Sequence, residues 1–163
     1  MDILVLDLET TVERIEGRID NSPKNPRNKC VSAHWGWLGE TTVDHVNHSI
    51  LYHIEHEGSD PVDQLKEDLS KASMMVCHNT KFDAEWLMEM GFELPPLVRD
   101  TMIIEYLLSK GQRRPLSLKE SAIRRNVKSL KKSDLIDEMF KSGTDFSEMP
   151  LDVVIEYAEA DVK

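Results

Sequence analysis

The sequence is poor in cysteine and has no long apolar run. No stretch approaches the roughly 20 apolar residues of a membrane-spanning helix, so we expect no association with a membrane. The N-terminus lacks the basic region and the small-residue cleavage site of a secretory signal, which favours a cytoplasmic protein. The two cysteines, Cys30 and Cys77, form no metal-binding motif, and reduced thiols are a simpler interpretation than a disulfide between them.

Positive charge is also scarce, because the chain carries a net charge of −10 at neutral pH. This balance argues against nucleic acid as a partner, since phosphate binding depends largely on Lys and Arg. The distribution of charge weakens that objection. Eight basic residues lie between Arg113 and Lys132, where Glu120 is the only acid. This basic segment either faces a phosphate backbone or forms a solvated helix face.

The pattern of apolar residues predicts a single α/β domain over residues 1–163, with a mixed central β-sheet flanked by helices. The predicted strands cover residues 2–11, 30–38, 42–46, 49–54 and 73–77, and residues 14–29 are predicted to form a loop. The predicted helices begin at residues 60–61, 81, 101, 118, 133 and 151. The alternation over residues 30–38 indicates a strand with only one face covered by helices.

The first predicted strand ends in two carboxylates. Its apolar residues indicate a strand that is buried on both faces near the centre of the sheet. Asp7 and Glu9 are two residues apart, so they share a face and their carboxylates can converge on one cation. The same Asp-x-Glu spacing recurs at Asp83 and Glu85, so the first pair alone is weak support for a metal site.

Two later stretches place further polar side chains at the ends of predicted elements. Asn79 and Asp83 lie where a predicted strand passes into a helix, and Asp83 is also explained as an acid favoured by the helix dipole. Tyr157 and Asp161 are four residues apart on the last predicted helix, so they project from one face. An isolated pair of this kind is more simply explained as a surface coincidence.

Together and in this order, the three stretches resemble the 3′-to-5′ exonuclease domain of family A DNA polymerases, part of the DEDD superfamily with a ribonuclease-H-like fold. The family's motifs are Asp-x-Glu, Asn with an aromatic–Asp pair, and Tyr-x-x-x-Asp. They are matched by Asp7 and Glu9, by Asn79 with Phe82-Asp83, and by Tyr157 and Asp161. Glu156 stands where the histidine subclass carries its histidine, so the sequence resembles the tyrosine subclass, DEDDy.

The resemblance implies metal-dependent hydrolysis of phosphodiester bonds at DNA 3′ ends. Two divalent cations, Mg²⁺ or Mn²⁺, would be the cofactors, in keeping with a set of oxygen ligands. By resemblance, Asp7 would bridge both ions. Glu9 and Asp161 would complete the site of one ion, and Asp83 would hold the other.

The resemblance also implies how the substrate would be handled. Tyr157 would orient the attacking water, and Thr10 and Asn79, which adjoin expected ligands, would contact the substrate. The expected partners are the 3′ end of single-stranded DNA and a polymerase domain in cis or in trans, with the exonuclease acting in proofreading. The chain looks like part of a viral or otherwise shortened polymerase, which would place it in a host cytoplasm.

The sequence ends two residues after Asp161, and because a helix that bears a metal ligand is not expected to stop there, we expect the chain to be an excerpt that precedes a polymerase domain. Two alternatives remain open. One is a stand-alone exonuclease of the ribonuclease D or Werner type, acting on RNA or DNA. The other is a non-catalytic module that keeps the fold as a scaffold or binds single strands. Zinc binding by the histidines between His34 and His56 is not expected, because their spacing puts paired histidines on opposite faces of a strand.

Overall fold

The computed structural model describes residues 1–127 and 134–163. Within these ranges the strands are β1 (Ile3–Thr10), β2 (Glu13–Ile15), β3 (Arg18–Asp20), β4 (Cys30–Trp37), β5 (Asn47–Ile50), β6 (Met74–Cys77) and β7 (Leu97–Asp100). The helices are α1 (Asp63–Lys71), α2 (Thr80–Glu89), α3 (Thr101–Leu108), α4 (Leu118–Arg124), α5 (Asp134–Ser142) and α6 (Leu151–Val162).

Five of these strands form one mixed sheet with β1 at its centre. The strand order is β5-β4-β1-β6-β7. β1 pairs antiparallel with β4 and parallel with β6, and β6 pairs parallel with β7. α6 packs against β1 and β4, and α2 packs against β6 and β7. The predicted α/β class, with a mixed sheet flanked by helices, is confirmed.

β1 separates two different environments. Leu4, Leu6 and Leu8 point to one face, where they pack in a buried cluster with apolar residues of α1 and α2. The alternate residues, among them Asp7 and Glu9, point to the face that α6 covers. The predicted burial of this strand on both faces is only partly correct, because Ile3, Val5 and Asp7 on the α6 side are half-buried. The alternation delivers both carboxylates to that side.

β4 is buried on both faces, so the prediction of a strand covered on one side only was wrong. Ser32 and His34 on its second face are fully buried because α6 packs across β4 as well as β1. On the same face, a Cβ on Gly36 would lie 2.3 Å from Val43 Cγ1 and 2.5 Å from the carbonyl oxygen of His45. Only glycine lets the next loop approach this closely. That loop makes an isolated bridge through Val43 instead of the strand predicted over residues 42–46.

The predicted loop over residues 14–29 contains a hairpin formed by β2 and β3. Its two turn residues, Glu16 and Gly17, have φ angles of 50° and 79°. Positive φ at both central residues is the type I′ geometry, whose twist matches that of the flanking strands. The prediction was wrong because Pro23 and Pro26, which argued against regular structure, lie after the hairpin and not in it.

α1 begins at Asp63, later than its predicted start at residues 60–61. Asp60 does not cap the helix, because its Oδ2 accepts a hydrogen bond from Ile50 N at 2.8 Å and so fastens the end of β5. α2 begins within one residue of its predicted start, and α6 covers the predicted residues. The predicted start of α5 at residue 133 lies outside the described residues.

A strand that was not predicted, β7, lies at one edge of the sheet. Its register with β6 pairs Cys77 with Asp100, which places Asp100 beside the turn into α2. Asp100 Oδ1 accepts hydrogen bonds from Asn79 N at 3.0 Å and Met102 N at 2.8 Å. Asp100 Oδ2 accepts one from Thr80 N at 3.0 Å. One carboxylate therefore joins the starts of α2 and α3.

Both cysteines are free thiols in the interior, which agrees with the interpretation of reduced thiols. Burial raises the pKa of Cys30 and of Cys77, so the neutral thiol predominates in each case at neutral pH. Among the helices in the described residues, none combines the length and the apolar character needed to cross a membrane.

Replacing Asp100 by alanine is expected to destabilise the protein by about 2–3 kcal/mol, because N–H groups at the starts of two helices lose a charged acceptor. Urea unfolding followed by circular dichroism measures the change. Asp63→Ala is the matched control, since Asp63 is also an acid in the first turn of a helix but is exposed. The control is expected to change stability by less than about 0.5 kcal/mol. Equal losses of stability in the two variants would show that Asp100 does not stabilise the starts of α2 and α3.

Candidate active site

Asp7, Glu9 and Asp161 converge at one point on the α6 side of the sheet. Each offers a carboxylate oxygen, and the three oxygens lie within 4.8 Å of one another. Asp7 and Glu9 reach this point from β1, and Asp161 reaches it from the last turn of α6. Glu9 is buried, whereas Asp7 and Asp161 are half-buried. In the described part of the chain, this is the one group of three His, Cys, Asp or Glu side chains arranged to hold a metal ion.

Apolar packing fixes α6 over β1. Val162, the neighbour of Asp161, belongs to a buried valine cluster that Val5 of β1 also contacts. Two turns earlier, Val154 is buried in a second cluster with Val31 of β4. The position of Asp161 is therefore set by contacts at two places along the helix, and attraction between the site's own side chains is not needed.

Asp83 lies beside these three carboxylates, in the first turn of α2. The pairing of β1 with β6 ends at Val5 and Val76, so the Leu8 N–H lies beyond the end of β6. Asp83 Oδ1 accepts that hydrogen bond at 3.2 Å. Burial, followed by the nearby carboxylate of Asp7, raises the pKa of Asp83 to about 8, while the Leu8 hydrogen bond acts in the opposite direction. Without a cation, Asp83 is therefore largely protonated at neutral pH.

The donor set fits a hard divalent cation. All four side chains offer carboxylate oxygens, the ligands that Mg²⁺ and Mn²⁺ accept, whereas structural zinc sites are built from nitrogen and sulfur ligands. Ionised carboxylates at these distances repel one another, and a cation bound between them offsets the repulsion. The residues that the sequence motifs singled out thus fit the cofactor that the resemblance implied.

The other three predicted site residues are placed at different depths. Tyr157, one turn before Asp161, packs its ring on Phe146 with the ring centroids 5.4 Å apart. Thr10 is buried at the irregularity that ends β1. Asn79 is exposed and has the left-handed backbone angles φ 69° and ψ 49°. Asparagine adopts these angles more readily than most other residues, and here they form the turn that leads into α2. The roles assigned to these residues and to the four carboxylates stay predictions.

His34 is a buried polar residue beside the site that sequence reasoning missed. Its Cα pairs with that of Asp7 across β1 and β4, so both side chains lie on the α6 face. Nε2 lies 2.9 Å from Ser32 Oγ, and Nδ1 has no hydrogen-bond partner among the residues described. Burial, followed by the charge of neighbouring His48, lowers the pKa of His34 to about 3. The imidazole is therefore neutral at neutral pH and adds no positive charge beside Asp7.

His78 fastens the connection between α3 and α4 to the rim of the site. Its Nε2 lies 2.7 Å from the carbonyl oxygen of Leu116, and this nitrogen donates because the carbonyl can only accept. Its Nδ1 lies 2.9 Å from Thr101 Oγ1. Since Asn79 follows directly in sequence, this connection is held next to the turn that leads to Asp83.

The predicted basic segment is partly engaged inside the protein. Arg124 Nε and Arg125 Nε donate to the two carboxylate oxygens of the buried Glu105, each at 2.9 Å. Arg124 and then Arg125 hold the pKa of Glu105 below its usual range. Arg113 and Arg114 are exposed in the α3–α4 connection and face solvent. Lys128, Lys131 and Lys132 lie outside the described residues.

Known proteins provide an independent comparison. The sequence model of a family described as 3′-5′ exonuclease matches residues 40–163. A solved structure described as the apo form of the nuclease is similar with a TM-score of 0.63 and 18% sequence identity, over 98% of this chain. This chain spans 66% of the length of that one, and at this identity the likeness concerns the fold alone. No curated protein matches the sequence.

Replacing Asp83 by asparagine is expected to change how stability depends on pH in the metal-free protein. The folded protein keeps the Asp83 proton up to a pKa of about 8, whereas the unfolded chain releases it near pH 4. The wild type should therefore lose stability as the pH rises from about 4 to about 8. Asp83→Asn lacks this loss, which the two pKa values put at roughly 5 kcal/mol, and should melt roughly 10 °C higher than the wild type at pH 8 but not at pH 4.

Thermal unfolding in a chelator at several pH values measures this effect. Glu85→Gln is the matched control, because Glu85 lies on the same helix and is exposed. Parallel pH profiles for the wild type and Asp83→Asn would show that Asp83 titrates normally, which would contradict its placement.

Proposed function

The chain belongs to the 3′-5′ exonuclease family, and from this premise we propose that it hydrolyses phosphodiester bonds at the 3′ ends of nucleic-acid strands with bound divalent cations. The resemblance found in the sequence motifs is thus correct for the family, while the tyrosine subclass and a viral origin stay predictions. The observation that carries the proposal is the convergence of the Asp7, Glu9 and Asp161 carboxylates within 4.8 Å.

The proposed role of the four carboxylates is to hold the cations. Divalent ions there would supply Lewis acidity to the phosphate, activation of a water and stabilisation of the departing oxygen. In this proposal Asp7 would hold both ions, Glu9 and Asp161 would hold one of them, and Asp83 would hold the other. Asp83 must lose its proton before it can act as a ligand, so cation binding should strengthen as the pH rises toward 8.

Tyr157 is proposed to orient the attacking water. It lies one helical turn from Asp161, so both side chains project from the same face of α6. Its ring packs on Phe146, which restricts the ring and with it the direction of the hydroxyl. A phenol hydroxyl can both donate and accept a hydrogen bond, as a group that holds a water requires.

The proposed substrate is the 3′ end of single-stranded DNA. Asn79 is exposed at the rim, and Arg113 and Arg114 lie in the connection that His78 fastens there. Arginine side chains in such a position contact the phosphates of a strand without recognising its base sequence. The proposed setting is proofreading beside a polymerase domain, in cis or in trans.

Degradation of a DNA strand labelled at its 5′ end tests the proposed function. With Mg²⁺ or Mn²⁺ we expect a ladder of products that shortens from the 3′ end, no degradation in a chelator, and strong inhibition by a 3′-terminal phosphate. Asp7→Ala or Asp161→Ala should lower the rate by about a thousandfold. Neither variant should melt at a lower temperature, because each removes a repelling charge.

Glu85→Ala is the matched control for these variants, since it alters the second Asp-x-Glu sequence at an exposed position paired with Lys81. The control should keep full activity. Unchanged turnover in Asp7→Ala, or internal cleavage that ignores the 3′ block, would contradict the proposal. A matched RNA strand, degraded faster than DNA, would reassign the substrate to RNA.

Tyr157→Phe is expected to lower the hydrolysis rate about tenfold, because one hydrogen bond to the attacking water is lost while the ring and its packing on Phe146 are kept. Calorimetric titration with Mn²⁺ should give the same affinity as the wild type. A large loss of Mn²⁺ affinity would instead make Tyr157 part of the framework that holds the carboxylates.

A further inference from the structure

The β2–β3 hairpin follows β1 directly and so lies close to the candidate active site. Arg14 on β2 is four positions after Thr10 at the end of β1, so their Cα atoms are at most about 14 Å apart. The hairpin and the loop that follows it contain five basic and three acidic residues between positions 12 and 29, in a chain whose net charge is −10. This is a cationic element beside an acidic site.

One face of the hairpin is closed by its own loop. Glu13 and Asp20 are paired across the two strands and so share a face. Asn25 Nδ2 donates to Glu13 Oε2 at 2.7 Å and to Asp20 Oδ2 at 2.9 Å. Arg27 also pairs with Glu13. Two of the three acidic side chains of this region are therefore turned inward and engaged by the loop.

The opposite face of the hairpin is open. Arg14 and Ile19 are paired across the strands and both are exposed, with Ile19 at 59% of its full accessible surface. Arg14 has no ion-pair partner within residues 1–127 or 134–163. The hairpin thus turns Glu13 and Asp20 toward its own loop, and it presents the Arg14 guanidinium beside an apolar side chain to solvent.

The hairpin is held in place relative to the site. Trp86, three residues after Asp83 on α2, donates a hydrogen bond from Nε1 to the carbonyl oxygen of Asn21 at 3.2 Å. Thr11 N donates to the carbonyl oxygen of Lys29 at 2.9 Å, which closes the base of the segment. The open face therefore has a fixed position with respect to the carboxylates.

We propose that the open face, Arg14 with Ile19, binds the substrate strand a few nucleotides away from the 3′ end that enters the candidate active site. Arg14 contacts a backbone phosphate, and Ile19 packs against a sugar or base. Charge complementarity supports this occupant, because an outward guanidinium in an otherwise acidic chain attracts a polyanion. The inference rests on the proposed function for the presence of the strand, but it concerns binding and not hydrolysis.

Binding of a fluorescent single-stranded DNA of about 15 nucleotides, measured by anisotropy over a range of salt concentrations with Ca²⁺ in place of Mg²⁺, tests the inference. Arg14→Ala should reduce the slope of log affinity against log salt by about 0.7, the loss of one phosphate contact. Ile19→Ser should weaken binding about threefold at an unchanged slope, because it removes an apolar contact only.

Arg18→Ala is the matched control, because Arg18 is exposed on the same hairpin but on the face of Glu13 and Asp20. It should leave both the affinity and the slope unchanged. Hydrolysis of a dinucleotide, whose single phosphate is the one that is cleaved, should be the same in all three variants and in the wild type, because no second phosphate is left for Arg14 to contact. Unchanged melting temperatures establish that each variant is folded.

An unchanged slope in Arg14→Ala, an equal effect of Arg18→Ala, or slower dinucleotide hydrolysis in Arg14→Ala would each overturn the inference. These results are distinct from a failure of the proposed function. If the wild type degrades no strand, the anisotropy measurement still reports whether Arg14 contacts DNA.

Discussion

Repulsion among carboxylates on one side of the central strand is the constraint on which the rest of the structure depends. At 4.8 Å, the upper limit of the distances between their oxygens, two unit negative charges repel by about 3 kcal/mol at an effective dielectric constant of about 20. Asp7, Glu9 and Asp161 are nevertheless held together by apolar packing on both faces of β1. Leucines pack on one face, and valines anchor α6 on the other. The hydrophobic packing on the two faces therefore keeps the three carboxylates close together despite their repulsion, which a bound cation would relieve.

The fourth carboxylate is positioned by different elements. β6 stops pairing with β1 before Leu8, and Asp83 takes the backbone hydrogen bond that a longer β6 would have made. The turn that leads to Asp83 is fixed in turn by Asp100, which the parallel strand β7 brings alongside. The site thus has two parts: α6 lies over the face of β1 and carries Asp161, and α2 lies beside β1 and carries Asp83. In the proposed mechanism each part would supply ligands to one of the two cations.

Features encoded by short-range patterns were predictable from the sequence. The apolar run of β1, the helical spacing of α6 and the order of the three motifs gave the central strand, the last helix and the residues whose carboxylates converge. Features that depend on the pairing of strands were not predictable. β7 has only four residues and no alternation of apolar and polar residues, so the sequence gives no sign of a strand there. It forms a strand because it pairs with the open edge of β6. His34 could be placed beside Asp7 only once the register of β4 was known.

Charge was the least predictable property. The sequence shows a continuous basic segment, but two of its arginines bind Glu105, which is the buried residue of an otherwise apolar and exposed α3. The hairpin, predicted as a loop, has the opposite arrangement, with Glu13 and Asp20 turned inward and Arg14 outward. Tertiary contacts decide which charged side chains stay exposed and can face a partner. Counting the charges along the sequence does not reveal which these are.

An anomalous-scattering map from crystals grown with Mn²⁺ tests most directly whether these carboxylates hold divalent cations. We expect a strong peak among the carboxylate oxygens of Asp7, Glu9 and Asp161, which is lost in crystals of Asp161→Ala, and a second peak on the Asp83 side of Asp7. Ordered Mn²⁺ elsewhere on the protein, with no peak between these three carboxylates, would contradict the assignment of the site.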